Sequence, residues 1–157
     1  MKSQGRYDPF FPSDVAHKLV EMIEKNADEL TKNWLHNVKK HSSTPTYARY
    51  GDETELYKRA FRVFSQLSKW ISRDTSPEDV KSYWTGLGRQ RRREGFLLSE
   101  VVLAIALVRQ ELWRKVQTEG LLDTAYDLYQ AMELSNRVAL FFDKAVFFTA
   151  VGFEHEE

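Results

Sequence analysis

The chain has 157 residues, its 23 Lys and Arg balance 23 Asp and Glu, and it contains no cysteine. The length suits one domain with a buried core, and the absence of cysteine excludes disulfides, thiolate metal sites and cysteine nucleophiles. Because the charge is balanced and no apolar run reaches the ~20 residues of a membrane span, we expect a cytoplasmic protein that binds neither nucleic acid nor membranes.

The N-terminal part of the chain predicts an irregular arm and a long helix. Residues 1–12 contain two prolines and a glycine, so we place the helical domain at 13–157. The first helix is predicted from Ser13 or Asp14, either of which can cap it, to about Lys40. Its apolar residues recur at steps of three and four, which is the period of one buried helix face. They are Val15, Leu19, Ile23, Ala27, Leu30, Trp34 and Val38.

A loop separates the first helix from the second. Pro45 and Gly51 bracket a stretch rich in Ser and Thr, which predicts a loop. Asp52 stands three residues before Glu55, which is the spacing of a capping box. The second helix is therefore predicted over residues 53–72.

The third helix has the clearest start in the chain. Ser, Pro, Glu and Asp at 76–79 supply a cap, a proline at the first position and acids at the positive helix end. Gly86 and Gly88 lie inside this helix, where each costs about 1 kcal/mol relative to alanine. Either the helix bends there or another backbone comes close. Gly95 is the predicted left-handed stop.

The fourth helix is predicted to be the centre of the fold. Residues 101–108 are eight apolar residues in succession, and Leu112, Trp113 and Val116 continue the pattern at helical spacing. A helix that is apolar on every side must be covered on every side. We therefore predict an all-α, single-domain bundle of about five helices around a central helix at 98–119. A buried strand is the alternative for 101–108, but no second strand or hairpin turn is predicted nearby.

The fifth helix is predicted to be long and unusually apolar. It begins near Asp123 and meets no proline or glycine until Gly152, with apolar residues in a seven-residue repeat. Between Val138 and Phe153 the only charged residues are Asp143 and Lys144. A helix with one face in water usually carries more polar residues than this one. We therefore expect the far side of the fifth helix to contact a second subunit or a following domain. The expected partner surface is formed by Phe141, Phe147, Phe148 and Val151. The alternative is a fifth helix enclosed within one subunit.

Arginines near the end of the third helix are the candidate ligand-binding residues. Arg89, Arg92 and Arg93 fall at i, i+3 and i+4, which places them on one helix face as an anion clamp. The alternative is that these cations complement the negative helix end and stay solvated.

The sequence offers no catalytic or metal-binding pattern. Histidines occur only at positions 17, 36, 41 and 155, and His17 and His36 are predicted to point away from the core. A haem of the globin kind needs a histidine on an inner helix, and none is available unless His41, which is in phase with Trp34, reaches inward. There is no phosphate-binding glycine loop, nucleophile elbow or metal spacing. We therefore expect no catalytic residue, no metal and no cofactor.

Five segments together carry a family resemblance. They are Trp34-Leu35, Pro45-Thr-Tyr47 with Tyr50, the run from Gly88 to Glu100, Leu112-Trp113, and Phe141-Phe-Asp-Lys-Ala145. This combination resembles the N-terminal domain of RsbT co-antagonist (RsbRD-type) proteins over nearly the whole chain after residue 13. Its most specific part is the arginine-rich segment followed by Glu-Gly and an apolar helix.

The resemblance implies a non-enzymatic, helical input domain of bacterial stress or two-component signalling. Such domains precede STAS, histidine-kinase or other output modules, and the related RsbR sensor domains adopt a haem-free globin-like fold. Simple bundle packing and globin-like helix crossing are therefore both open. Because this sequence stops at Glu157 without an output module, it is expected to be an excised domain or a stand-alone relative.

Two functions follow from these observations. The first is a sensory or regulatory domain that dimerises through the fifth helix and transmits a change in helix packing to whatever follows Phe153. The alternative is a module that binds a small acidic molecule in an arginine-lined pocket between the central helix and Gly86 to Gly88. An enzyme has the least support, because the chain lacks paired catalytic groups.

Overall fold

The computed structural model describes residues 14–119 and 124–155. Within these ranges all regular structure is helical, which confirms the prediction of an all-α fold. The helices are α1 (Asp14–Lys25), α2 (Ala27–Lys40), α3 (Pro45–Arg49), α4 (Glu53–Ser65), α5 (Leu67–Ile71), α6 (Pro77–Arg93), α7 (Leu98–Thr118) and α8 (Ala125–Glu154). The predicted arm at 1–12, and the residues Gly120 and Asp123 at the predicted helix ends, lie outside the described residues. None of the helices in these ranges is long and apolar enough to cross a bilayer.

The predicted first helix is two helices, and Asn26 separates them. Its backbone leaves the helical region at φ −102° and ψ 20°, and its side-chain amide donates to the carbonyl of Met22 at 2.8 Å. Asparagine side chains compete for backbone groups in this way and favour a helix end. Leu19 on α1 and Leu30 on α2 are both buried, so the two helices turn the same side toward the core. The apolar spacing in the sequence therefore continues across the break.

The second predicted helix is also interrupted, and the loop before it contains a helical turn. Gln66 separates α4 from α5, and α5 ends at Ile71. Pro45 occupies the first turn of α3, where its missing N–H costs nothing. The predicted cap of α4 is present, since the Asp52 carboxylate accepts from the backbone N–H of Glu55 at 3.1 Å. The count of eight helices rather than five arises from these local breaks.

The predicted boundaries of the later helices agree with the structure. The Ser76 hydroxyl accepts from the N–H of Glu78 at 3.2 Å, with Pro77 in the first turn of α6. Gly95 has φ 88°, the left-handed conformation that ends α6. Thr124 caps α8 by accepting from the N–H of Asp127 at 3.0 Å. These ends are decided by neighbouring residues, which is why the sequence could predict them.

The apolar helix α7 lies in the core, as predicted. None of residues 101–108 is exposed, and α7 packs against α2 and α8. The indole N–H of Trp34 on α2 donates to the carbonyl of Ala104 at 2.9 Å. The most extensive contact between helices, however, joins α6 to α8. This contact brings the arginine-rich end of α6 next to the C-terminal end of α8.

Candidate functional site

One arginine of α6 is buried, and it is not a member of the predicted clamp. Arg91 is only 2% exposed, whereas Arg89, Arg92 and Arg93 are exposed. Nη2 of Arg91 lies 2.9 Å from Oε1 of Glu55, and Nη1 lies 2.8 Å from Oε1 of Glu94. Arg91 therefore forms ion pairs with carboxylates of its own chain. Its position at i+2 from Arg89 turns it toward the core, and this phase was the signal available in the sequence.

The two carboxylates around Arg91 have further partners. The Tyr50 hydroxyl donates to Glu94 at 2.5 Å, and the Gln90 amide donates to both Glu55 and Glu94 at 3.0 Å. The Nε of Arg59 donates to Glu55 at 3.0 Å. This polar cluster joins α4, α6 and the residue after α3. Since each charge has a partner of opposite sign, the cluster stabilises a junction of three segments.

The pKa of Glu94 reflects this environment. Burial by itself raises the pKa of Glu94, but hydrogen bonds from Tyr50, Gln90 and Arg91 lower the pKa overall to below its ordinary value. Burial, together with the Glu94 carboxylate, raises the pKa of the Tyr50 hydroxyl. Glu94 is therefore held as a carboxylate and Tyr50 as a hydrogen-bond donor.

Acid should weaken the fold partly through Glu94. Because its pKa is lower in the folded chain than in the unfolded chain, its contribution to stability is present above the unfolded pKa and is lost as pH falls through the folded value. Glu94→Gln should therefore reduce the slope of unfolding free energy against pH below about pH 4.5. Urea titrations between pH 6 and pH 3 measure this slope. Glu154→Gln, at an exposed position, is the control, and equal slopes in both variants would contradict the assignment.

Arg92 contacts the end of α8. Its Nη1 donates to the carbonyl of Phe153 at 2.9 Å, and its guanidinium lies 5.6 Å from the centre of the Phe153 ring. The last carbonyls of a helix lack partners within the helix, so Arg92 satisfies one of them and complements the negative helix end. The alternative to a clamp was that these cations complement the negative end of their own helix. Arg92 instead complements the negative end of α8. Anion binding by Arg89, Arg92 and Arg93 stays a prediction.

Two glycines let the backbones of α6 and α8 touch. A Cβ placed on Gly88 would lie 2.0 Å from the carbonyl oxygen of Thr149, and one on Gly152 would lie 2.1 Å from the carbonyl oxygen of Thr85. Residue 85 thus faces residue 152, and residue 88 faces residue 149. The two helices therefore run antiparallel where they cross. Of the two predictions for this region, the close approach of another backbone is therefore the one observed. Gly86 faces open space, with nothing within 4 Å of a Cβ there.

The outer face of α8 is apolar and exposed. Among the described residues seven large hydrophobic side chains are strongly exposed, and six of them lie on α8. Those six are Tyr126, Leu128, Tyr129, Met132, Leu140 and Phe147. We call this surface the α8 face. Tyr129, Met132, Leu140 and Phe147 lie on one side of the helix at multiples of its three- and four-residue steps, and the exposed polar residues Asn136 and Asp143 lie between the last three of them.

The predicted partner residues divide between the core and the surface. Phe141 is only 4% exposed and packs on Trp70 and Trp84, with ring centres 5.4 and 5.8 Å away. Its prediction as a partner residue is therefore corrected, because it completes the core of its own chain. Phe147 is 60% exposed, and Phe148 and Val151 are partly exposed. Leu140 and Met132 were not among the predicted partner residues, although their spacing to Phe147 was a usable signal.

One small apolar cavity lies among the described helices. The apolar cavity among α2, α4, α6, α7 and α8 has a volume of about 40 Å³. Sites for organic ligands usually exceed about 300 Å³, so this cavity has space for one or two water-sized molecules. All four histidines are exposed, and the described residues contain no group of three or more metal-ligating side chains.

The family resemblance is confirmed by direct comparison. Residues 28–157 match the family described as the RsbT co-antagonist protein rsbRD N-terminal domain. The match begins within α2, continues through α8 and covers more than half of the chain. No curated protein and no solved structure matches the chain. The chain therefore belongs to the RsbT co-antagonist protein RsbRD N-terminal domain family, a family of regulatory signalling domains.

Proposed function

We propose that this chain is a non-enzymatic sensory input domain that works as a homodimer formed through the α8 face. In this proposal, a change in the position of α8 is passed to an output module or partner protein of the RsbT or stressosome type. STAS and histidine-kinase modules are the expected outputs. The single observation that carries the proposal is the concentration of exposed apolar side chains on one side of the last helix.

The extent of the α8 face supports dimerisation. From Leu128 to Phe147 it extends over about 28 Å of helix, at 1.5 Å per residue. Exposed apolar side chains concentrated on one helix of a soluble protein usually mark an interaction site. A twofold dimer would place the α8 faces of two copies against each other, so a single surface on the chain is sufficient to form the dimer.

The attachment of α8 to the rest of the domain supports a role in transmission. One side of α8 is in the core through Phe142 and Ala145, and the other side carries the exposed residues. At Gly88 and Gly152 the backbones of α6 and α8 are in direct contact, with no side chain between them. Because closely packed interiors deform little, a displacement of α6 would be transferred to α8 and hence to the dimer contact.

Phe147→Gln is expected to weaken the dimer. Burying the exposed part of a phenylalanine is worth about 1–2 kcal/mol for each copy, and a twofold interface contains the residue twice. The dissociation constant of the dimer should therefore increase at least about tenfold. Sedimentation velocity over a range of micromolar concentrations measures this change.

The chain offers a matched control for this experiment. Leu97 is 62% exposed, close to the 60% of Phe147, but it precedes α7 and does not belong to the α8 face. Leu97→Gln should leave the dissociation constant unchanged. A wild-type chain that stays monomeric at all concentrations, or equal effects of the two substitutions, would contradict dimerisation through the α8 face.

A further inference from the structure

A groove outside the predicted arginine cluster has the size of a ligand site. It lies between α8 and the segment that runs from Trp70 to Lys81, and its volume is about 530 Å³. Sites for small organic molecules usually occupy about 300–1,000 Å³, so the volume of this groove lies within that range. The interior cavity, by contrast, is only about 40 Å³.

The floor of the groove is apolar and aromatic. Trp70 and Phe141 stack with ring centres 5.4 Å apart and an angle of 26° between the rings. Phe148 and Ile71 also line the groove. Trp70 and Phe148 are only partly buried, so part of each side chain is accessible to a ligand. Flat aromatic surfaces of this kind favour an apolar chain or ring.

The rim of the groove is basic. Four cations line it, Arg73, Lys81, Arg137 and Lys144, and Glu78 is the one acid among the residues that line it. The whole chain has 23 cationic and 23 acidic residues, so this excess is local. Clefts lined by charges of one sign attract ligands of the opposite sign.

One of the rim cations is held in place by the fold. The guanidinium of Arg137 on α8 donates to the carbonyl of Ile71 at the end of α5. This hydrogen bond fixes the guanidinium on the groove wall beside the aromatic floor. A charged group that is already positioned loses less conformational entropy when a ligand binds.

We propose that this groove binds a small amphipathic anion, in which one acidic group is joined to an apolar ring or chain. The apolar part lies on Trp70 and Phe148, and the acid meets Lys81, Lys144 and Arg137. A neutral molecule of the same shape would carry no charge for the ammonium groups of Lys81 and Lys144 to attract. The groove borders the α8 face at Leu140 and Phe148, so its occupant would contact the helix that the proposed function uses for signalling.

An aromatic sulfonate, 1-anilinonaphthalene-8-sulfonate, tests the proposal on the full chain by fluorescence titration. We expect one saturable site per chain. The double variant Lys81→Glu/Lys144→Glu should bind at least about tenfold more weakly. The control Lys40→Glu/Arg109→Glu changes the net charge equally at exposed positions away from the groove, and it should bind like the wild type.

Two further measurements make the test specific. N-phenyl-1-naphthylamine has the same ring system without the acid, and it should bind at least tenfold more weakly than the sulfonate. Decanoate below its micelle concentration should displace the sulfonate, whereas decanol should not. Phe147→Gln removes a residue of the α8 face outside the groove, so sulfonate binding should persist in it. Binding is thus measured separately from dimerisation.

The outcomes that would overturn the proposal are distinct. Equal sulfonate affinity in the two double variants would show that the basic rim does not contribute to binding. Equal affinity for the sulfonate and for the neutral probe would show that the acidic group does not contribute. Displacement by phosphatidylglycerol vesicles but not by decanoate would assign the basic rim to a lipid surface instead of a small molecule. Should the double variant fail to fold by circular dichroism, Lys144→Gln alone replaces it, with an expected weakening of at least threefold.

Discussion

Gly88→Ala is expected to lower the free energy of unfolding by about 3 kcal/mol or more. The new methyl group would lie 2.0 Å from the carbonyl oxygen of Thr149 and 2.8 Å from the backbone nitrogen of Phe153. Both are backbone atoms, so α6 and α8 must separate to make room. Separation would open the most extensive helix contact of the described chain. Urea unfolding followed by circular dichroism measures the loss.

The same helix supplies the control. Gly86→Ala adds a methyl group with no atom within 4 Å, and alanine is the better helix former by about 1 kcal/mol. Gly86→Ala should therefore leave the protein unchanged or slightly more stable. Gly152→Ala should resemble Gly88→Ala, because its methyl group would lie 2.1 Å from the carbonyl oxygen of Thr85. If all three variants had similar stability, the backbone contact between α6 and α8 would be wrong.

Arg91→Met is expected to lower the free energy of unfolding by about 3 kcal/mol. The substitution retains much of the apolar stem but leaves the carboxylates of Glu55 and Glu94 without their shared cation. The Arg91 side chain is 3% exposed and the Glu55 side chain 19%, so water can replace the lost partner only in part. Arg89→Met, at an exposed position on the same helix, should change stability by less than about 0.5 kcal/mol. Urea titrations of the two variants at pH 7 compare them directly.

A second set of variants shows whether charge is the cause. If unpaired carboxylates destabilise Arg91→Met, then adding Glu55→Gln and Glu94→Gln should restore part of the lost stability. Additive losses in the triple variant would instead mean that packing of the arginine stem on the rings of Tyr50 and Phe96 is the main contribution. These rings have their centres 5.8 and 5.2 Å from the guanidinium carbon.

Helix boundaries were predictable where a short local sequence decides them. Asp52, Ser76 and Gly95 each act within three residues of their own position, through a cap or a left-handed turn. The breaks at Asn26 and Gln66 were missed because the apolar period runs through both of them. A break that keeps the buried side in phase does not disturb the pattern on which the helix prediction depends.

The family and the general role were also predictable from the sequence. The segment that contains Arg89–Arg93, Gly95 and the apolar helix carried the resemblance, and the family match to residues 28–157 confirms it. The arginines of that segment were assigned less well. Their spacing placed three of them on one face, but it did not show that a fourth, Arg91, would be enclosed by Glu94 of the same segment together with Glu55 of α4.

By itself, the sequence determined that the chain is helical, where most of its helices start and stop, and that α7 is buried. These properties depend on residue spacing and on contacts within a single turn. Only the tertiary structure decided that Arg91 is buried while Arg92 binds the end of α8, and that Phe141 is in the core while Phe147 is exposed. The reason is physical: a helix that is apolar on several sides does not specify which side meets which neighbour. The backbone contact of α6 with α8 at Gly88 and Gly152 makes that choice.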